Sequence, residues 1–193
     1  MKIKIYVIVI FLSLGIVACT QAPALKIYTL DVPKIAMVKN SHYQYKILKV
    51  TFPQSIREEM SEKINFSYTN DERGVYQNSQ WSNTMSKLLQ GTLIDMFDKS
   101  KLFKTVVSDT STLKEDYRLE SNIFTFEHRV RGIESYSVIS IQFTLIDGNT
   151  GKLIKSKRFY YQEKTKSTNA KGYVDATNVA IAKLGKDLIH WMK

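Results

Sequence analysis

The chain has 193 residues, 44% hydrophobic and 24% charged, with 28 Lys and Arg against 18 Asp and Glu, for a formal net charge of +10. That length and apolar content suit one domain around one sizeable core. Cys19 is the only cysteine, which excludes a disulfide within one molecule and leaves the fold to its core.

Lys2 and Lys4 precede an apolar run over residues 5–17 that is broken by Tyr6, Ser13 and Gly15. The run is too short to span a bilayer comfortably, and it ends in Ile16-Val17-Ala18-Cys19. This is the pattern of a bacterial lipoprotein signal: residues 1–18 are removed, and Cys19 carries diacylglycerol on its thiol and a further acyl chain, such as palmitate, on its amino group. An uncleaved anchor with an incidental cysteine is the alternative. Each buried methylene contributes about 0.8 kcal/mol, so two or three acyl chains hold the protein at a membrane. Thr20 stands where an aspartate would favour inner-membrane retention, which points to the inner leaflet of the outer membrane. Cleavage leaves 175 residues and a charge of +8. In an exported protein that charge does not point to nucleic acid. It fits anionic lipid head groups, lipopolysaccharide phosphates, peptidoglycan carboxylates or an acidic protein surface, or simply a soluble basic surface.

Residues 19–26, with Pro23 and no periodicity, read as a lipidated tether that reaches at most ~25 Å. The domain then covers residues 27–193. Residues 27–32 alternate as a strand, with Tyr28, Leu30 and Val32 on one side and Pro33 as its stop. Over residues 43–52 the apolar phase switches, from Tyr43, Tyr45 and Ile47 to Leu48, Val50 and Phe52, as a bulge or a doubly buried strand requires. Residues 55–62 are charged and predict a helical turn or a loop. Ile64, Phe66 and Tyr68 alternate, and turn residues 70–74 bring Val75-Tyr76-Gln77 back as the other arm of a hairpin.

After Trp81, the residues Met85, Leu88, Leu89, Thr92, Leu93, Met96 and Phe97 recur at helical spacing, with Ser82 or Asn83 as the expected cap and Gly91 weakening the middle. Strands are expected over 102–107, 117–130 and 139–145. In the last of these Ile139, Ile141, Phe143 and Leu145 face a core, while Ser140, Gln142 and Thr144 face solvent or a partner. The loop Asp147-Gly148-Asn149-Thr150-Gly151 supplies glycines for positive backbone angles before residues 153–161 pair back. A final helix begins at a cap on Asn169 and buries Thr177, Ala180, Ile181, Leu184, Leu188, Trp191 and Met192. This order predicts an α+β fold: two layers, with a largely antiparallel sheet and two amphipathic helices on one face.

No catalytic motif is present. His42, His128 and His190 lack metal-ligand spacing, and there is no GxSxG elbow, glycine-rich phosphate loop or uncommitted cysteine. Glu58 with Glu59 and Glu115 with Asp116 read as solvated charge. A non-enzyme with no metal and no cofactor beyond its covalent lipid is expected.

The chain resembles the ABC-type transport auxiliary lipoprotein family. The resemblance lies in the lipobox, the early strand Tyr28-Thr29-Leu30-Asp31, and the aromatic strand through Tyr76 and Trp81 into a helix. It continues in Tyr117-Arg118-Leu119, in residues 124–127, and in Phe143-Thr144-Leu145-Ile146-Asp147. Ser82-Asn83-Thr84 departs from the charged residue and proline that many members carry after the tryptophan. The resemblance implies a non-enzymatic periplasmic component of an MCE-type ABC phospholipid transport system, with an MCE-domain protein and an ABC permease as partners and docking at the outer membrane as its role. Self-association is also compatible with that role. Tyr76 and Trp81 are the candidate partner-binding residues, because interfaces favour such anchors, although closing the core over the helix start is the stronger expectation for them. Two other readings compete. One is lipopolysaccharide assembly, through clustered Lys152, Lys155, Lys157 and Arg158; the other is activation of a cell-wall enzyme, which the short tether disfavours.

Overall fold

The computed structural model describes residues 23–55, 61–69 and 71–193. The expected signal sequence, Cys19 and the first part of the tether lie outside the described residues. So do residues 56–60 of the expected charged turn and Asn70 of the hairpin turn. Among the described residues the order is β1 (Lys26–Tyr28), β2 (Ile47–Val50), β3 (Gln54–Ser55), β4 (Lys63–Ser67), β5 (Arg73–Trp81), α1 (Met85–Ser100), β6 (Thr105–Ser108), β7 (Tyr117–Arg131), β8 (Glu134–Asp147), β9 (Leu153–Lys164) and α2 (Ala170–Met192). The result is an α+β fold in which one mixed, mostly antiparallel sheet dominates.

The 15-residue β7 is the axis of the sheet. Along one edge it pairs antiparallel with the whole of β8, which in turn pairs with β9. Its other edge is shared by three short parallel strands in succession: β2 at Leu119, β3 at Ile123 and β4 at His128. β6 then flanks β2, and β5 with β1 flanks β4. The expected β4–β5 hairpin is present and longer than its sequence pattern, since β5 runs on to Trp81. The parallel pairings were not legible, because period-2 alternation does not encode strand direction.

A register shift in β7 between Ile123 and Thr125 leaves Phe124 as the extra residue. It explains why the apolar phase of β7 changes: Leu119 and Ile123 face the core before it, Phe126 after it. The phase change at residues 43–52 has another cause. Residues 42–45 form a turn, Tyr43 packs inward and Tyr45 is exposed, and the strand starts at Ile47. Likewise β6 starts at Thr105 and not at residue 102. Leu102 and Phe103 are buried in the connection, where side-chain packing rather than ladder hydrogen bonding sets their apolar character.

Both helices cover the same face of the sheet and share one core. Leu89, Leu93, Met96 and Phe97 of α1 and Ala180, Ile181, Leu184 and Leu188 of α2 meet Leu119, Ile123, Ile139, Ile141, Phe143 and Leu145. Each leucine, isoleucine, methionine or phenylalanine side chain among them contributes roughly 1.5–3 kcal/mol by burial. The cap of α1 is Thr84, one residue beyond the expected pair: its Oγ1 accepts from Lys87 N at 3.4 Å, while Asn83 Oδ1 accepts from Thr84 N. Asn169 caps α2 as expected, accepting from Gly172 N at 2.9 Å. A strap over residues 29–43 lies against both helices. Asp31 N donates to Asn178 Oδ1 of α2, and Val38 N donates to the carbonyl of Ser100 at the end of α1.

The glycines divide by environment. Gly132 turns β7 into β8 with φ of +59°, and Gly151 turns β8 into β9 with φ of +69°. Gly148, expected for a positive angle as well, is required instead by close approach, since a Cβ there would lie 2.6 Å from the carbonyl oxygen of Glu115. Gly91 has open space on the outer side of α1. Gly91→Ala is therefore expected to stabilise the domain by about 1 kcal/mol, a rise of about 2–4 °C in Tm, by removing backbone freedom from the unfolded chain. Gly148→Ala is expected to lower Tm, since backbone must shift. Thermal melts followed by circular dichroism check both.

Candidate partner-binding surface

Strand alternation gives the β7–β8–β9 sheet a second face, opposite the helices. On it stand Ser140, Gln142 and Thr144 of β8, the expected polar row, beside Ser156, Arg158 and Tyr160 of β9. The row is ordered by its own bonds: Gln142 Nε2 donates to Ser156 Oγ at 3.1 Å, and the hydroxyls of Thr144 and Ser156 lie 3.0 Å apart. Arg158 donates from Nε to Ser140 Oγ at 2.7 Å, with its guanidinium 4.0 Å above the ring of Phe124. The bulge residue thus supplies an aromatic platform, and desolvation of an arginine on such a platform strengthens a cation–π contact. Tyr160 is 56% exposed on the same face.

Tyr76 and Trp81 do not stand on this surface. Trp81 is 2% exposed and packs edge-to-face on Phe126 and Tyr173, which closes the core at the start of α1. Tyr76 is half-buried and belongs to an aromatic column, in which His128 stacks between Tyr76 and Tyr173. The Tyr76 hydroxyl and His128 Nδ1 lie 2.7 Å apart. Removal of Trp81 leaves a large void, so Trp81→Ala is expected to cost about 3–5 kcal/mol of stability, measured by denaturant unfolding.

The basic residues near the second hairpin are separated by the same alternation. Lys155 and Lys157 point to the helix side, where Lys155 Nζ donates to the Trp191 and Met192 carbonyls at 2.6 and 3.2 Å and Lys157 lies over Phe159. Lys155 thereby satisfies carbonyls at the negative end of α2. Arg158 is on the opposite face, and no shared phosphate site with Lys155 and Lys157 results.

Two carboxylates, Glu115 and Glu127, are buried, which no local sequence pattern by itself signals. Glu115 is not solvated charge: it is 8% exposed, and its pKa is lowered to about 2 by hydrogen bonds from Lys49 and then Arg118. Its neighbour Asp116 accepts from Ile47 N at 2.9 Å, which ties the start of β2 to β7 and lowers its own pKa. Glu127, 5% exposed, accepts Arg129 from Nη2 at 2.6 Å and faces Arg73 at 3.6 Å. The signal for Glu127 lies in its place between Phe126 and His128, which after the bulge face the core and leave it on the second face.

His128 is fully buried, and burial lowers its pKa to about 4, so the imidazole is neutral near pH 7. His42 lies beside Tyr43, and His190 is exposed in the last turn of α2. Among the described residues no three His, Cys, Asp or Glu side chains are grouped to hold a metal, and no helix is long and apolar enough to cross a membrane. Because the unfolded chain protonates His128 at its ordinary value of 6.5 and the folded chain near 4, stability falls as pH drops through that interval. The Glu115 contribution is lost in a lower window, between its ordinary 4.5 and about 2. Urea unfolding at stepped pH should show both declines, and His128→Gln should flatten the upper one alone.

The whole architecture is shared with solved structures. A crystal structure of a Xanthomonas campestris protein of the family DUF330 superposes with a TM-score of 0.75 at 20% identity, over 86% of this chain and 94% of that one. A second, of an uncharacterized protein, gives 0.69 at 16% identity over 89% and 100%. At such identities the likeness is one of fold. An uncharacterized Bradyrhizobium diazoefficiens protein is 25% identical over 144 residues, which are 75% of this chain and 38% of that protein, so the chain spans well under half the length of this relative. Residues 28–188, from the last residue of β1 to the final turns of α2, match the ABC-type transport auxiliary lipoprotein component, and the chain belongs to that family.

Proposed function

We propose that this protein is a lipid-anchored periplasmic lipoprotein on the inner leaflet of the outer membrane that docks an MCE-type ABC phospholipid transporter, without catalysis of its own. The family match over residues 28–188 carries the reading. The sequence supports the anchor through Ile16-Val17-Ala18-Cys19, with Cys19 as the acylated residue. The sheet adds support for docking: with Ser140 buried beneath Arg158, a face of Gln142, Thr144, Ser156, Tyr160 and a stacked Arg158 has the composition of a wet, specific protein interface rather than of a substrate cavity. An MCE-domain protein and an ABC permease are the partners in this reading, and Tyr76 and Trp81 support it indirectly, through ring contacts that tie β5 to His128 and Phe126 of β7 and to Tyr173 of α2.

The lipopolysaccharide reading required a cluster of Lys152, Lys155, Lys157 and Arg158, which alternation divides between two faces. The experiment is mild cross-linking in intact cells, extraction in detergent and mass spectrometry of what co-purifies. Recovery of an MCE-domain protein with its permease is the expected result. Recovery of lipopolysaccharide-assembly or wall-synthesis proteins without them would overturn it. Cys19→Ala should move the protein from the membrane fraction to the soluble or precursor fraction, as read by fractionation and intact mass.

A further inference from the structure

The strap over residues 29–43 runs in the same direction as both helices. It leaves β1 where the Tyr28 carbonyl accepts from Ser82 N, just before α1, and then passes Asn178 at Asp31 and Gly185 at Pro33 and Ile35. It reaches Ser100, the last residue of α1, at Val38. From Asn178 to Lys193 a helix rises about 22 Å. The strap therefore delivers residues 34–43 to the C-terminal ends of both helices, at the pole of the domain away from Lys26, where the tether joins.

Two recesses meet at this pole and share Lys193. One, of about 320 Å³, is lined by Lys34, Ile35, Ala36, Lys186, Ile189 and Lys193, and the other, of about 550 Å³, by residues 37–43, Leu102 and Lys193. The charged side chains lining the two adjoining recesses are Lys34, Lys39, Lys186 and Lys193, with no aspartate or glutamate among them. None of these four is ion-paired among the described residues, a condition they share with Lys87, Lys104, Lys114, Lys152 and others; their convergence on one pole sets them apart. Leu102 and Ile189 are buried in the floor, and Met37 stands 68% exposed at the rim.

We propose that this lysine-rimmed groove binds an acidic, extended segment of the transporter partner, with an apolar side chain of that segment packed against Met37 and Ile189. The proposal rests on the docking reading and names its surface. Lysine side chains gathered around buried apolar residues are complementary to carboxylates flanking an apolar residue, and such complementarity raises the association rate and selects the partner. A concave groove on the pole away from the tether fits a protein segment, and the membrane that holds the anchor lies on the other side. The attraction is between exposed charges, so salt weakens it.

The test is photo-cross-linking in cells with the full-length protein, placing p-benzoylphenylalanine at Met37 in one strain and at Tyr160, on the open sheet face, in another. The expected result is an adduct from position 37 with the MCE-domain protein, mapped by mass spectrometry to a segment rich in aspartate and glutamate. The triple change Lys34→Glu, Lys39→Glu and Lys186→Glu should then lower its yield at least tenfold with Tm unchanged. If that variant does not fold, the same three positions as glutamine should still lower the yield several-fold. An adduct with the partner from position 160 but not from 37 keeps the docking reading and overturns the groove. A lipid adduct at 37 also overturns it. No transporter component cross-linked from either position, together with none in the co-purification, overturns both.

Discussion

The pairing of β7 is the constraint on which the rest of the structure depends. One strand of 15 residues carries a continuous antiparallel ladder on one edge and three short parallel partners on the other. Backbone N–H and C=O groups buried in the middle of a sheet must be paired, and here a broken line of β2, β3 and β4 does for one edge what β8 does for the other. The bulge at Phe124 lets a single strand serve both: it shifts the phase so that Leu119, Ile123, Phe126 and His128 all face the helices. Without the extra residue, one half of β7 would present its apolar row to solvent.

That shift also builds the second face. Phe124 leaves the ladder and becomes the plate under Arg158, while Glu127 is brought beside Arg129 and Arg73. Truncating either arginine would leave the buried Glu127 carboxylate with one cation fewer, which is destabilising. The Glu115 set acts similarly at the other end, where Lys49 from β2 and Arg118 from β7 meet on one carboxylate.

Both proposed contact regions follow from the connectivity. β1 enters the sheet beside β5, so the strap must travel the length of both helices to reach β2, and it deposits its lysines at their C-terminal ends. A lipoprotein held at its first residue would present that pole outward, and a docking role asks for a recognition surface in that position. The open sheet face lies lateral to this direction, where it suits contact with another domain or copy alongside.

The sequence by itself determined the elements whose periodicity is strong and local: α1, α2 with its Asn169 cap, the hairpin arms of β4 and β5, and the alternation of Ile139, Ile141, Phe143 and Leu145. It also determined the polar row of Ser140, Gln142 and Thr144, because a period of two fixes both faces at once. The order and spacing of these elements carried the resemblance to the family, and the match over residues 28–188 shows the membership. The tertiary structure alone decided strand direction and neighbours, the turn at residues 42–45, the burial of Glu115 and Glu127, and the separation of Lys155 from Arg158. It also decided that Trp81 closes the core and that Lys34, Lys39, Lys186 and Lys193 line two adjoining recesses at one pole. The reason is physical: periodicity reports the environment along one segment, whereas ion pairs, parallel ladders and grooves are made between segments far apart in the chain, and no local pattern carries their partners.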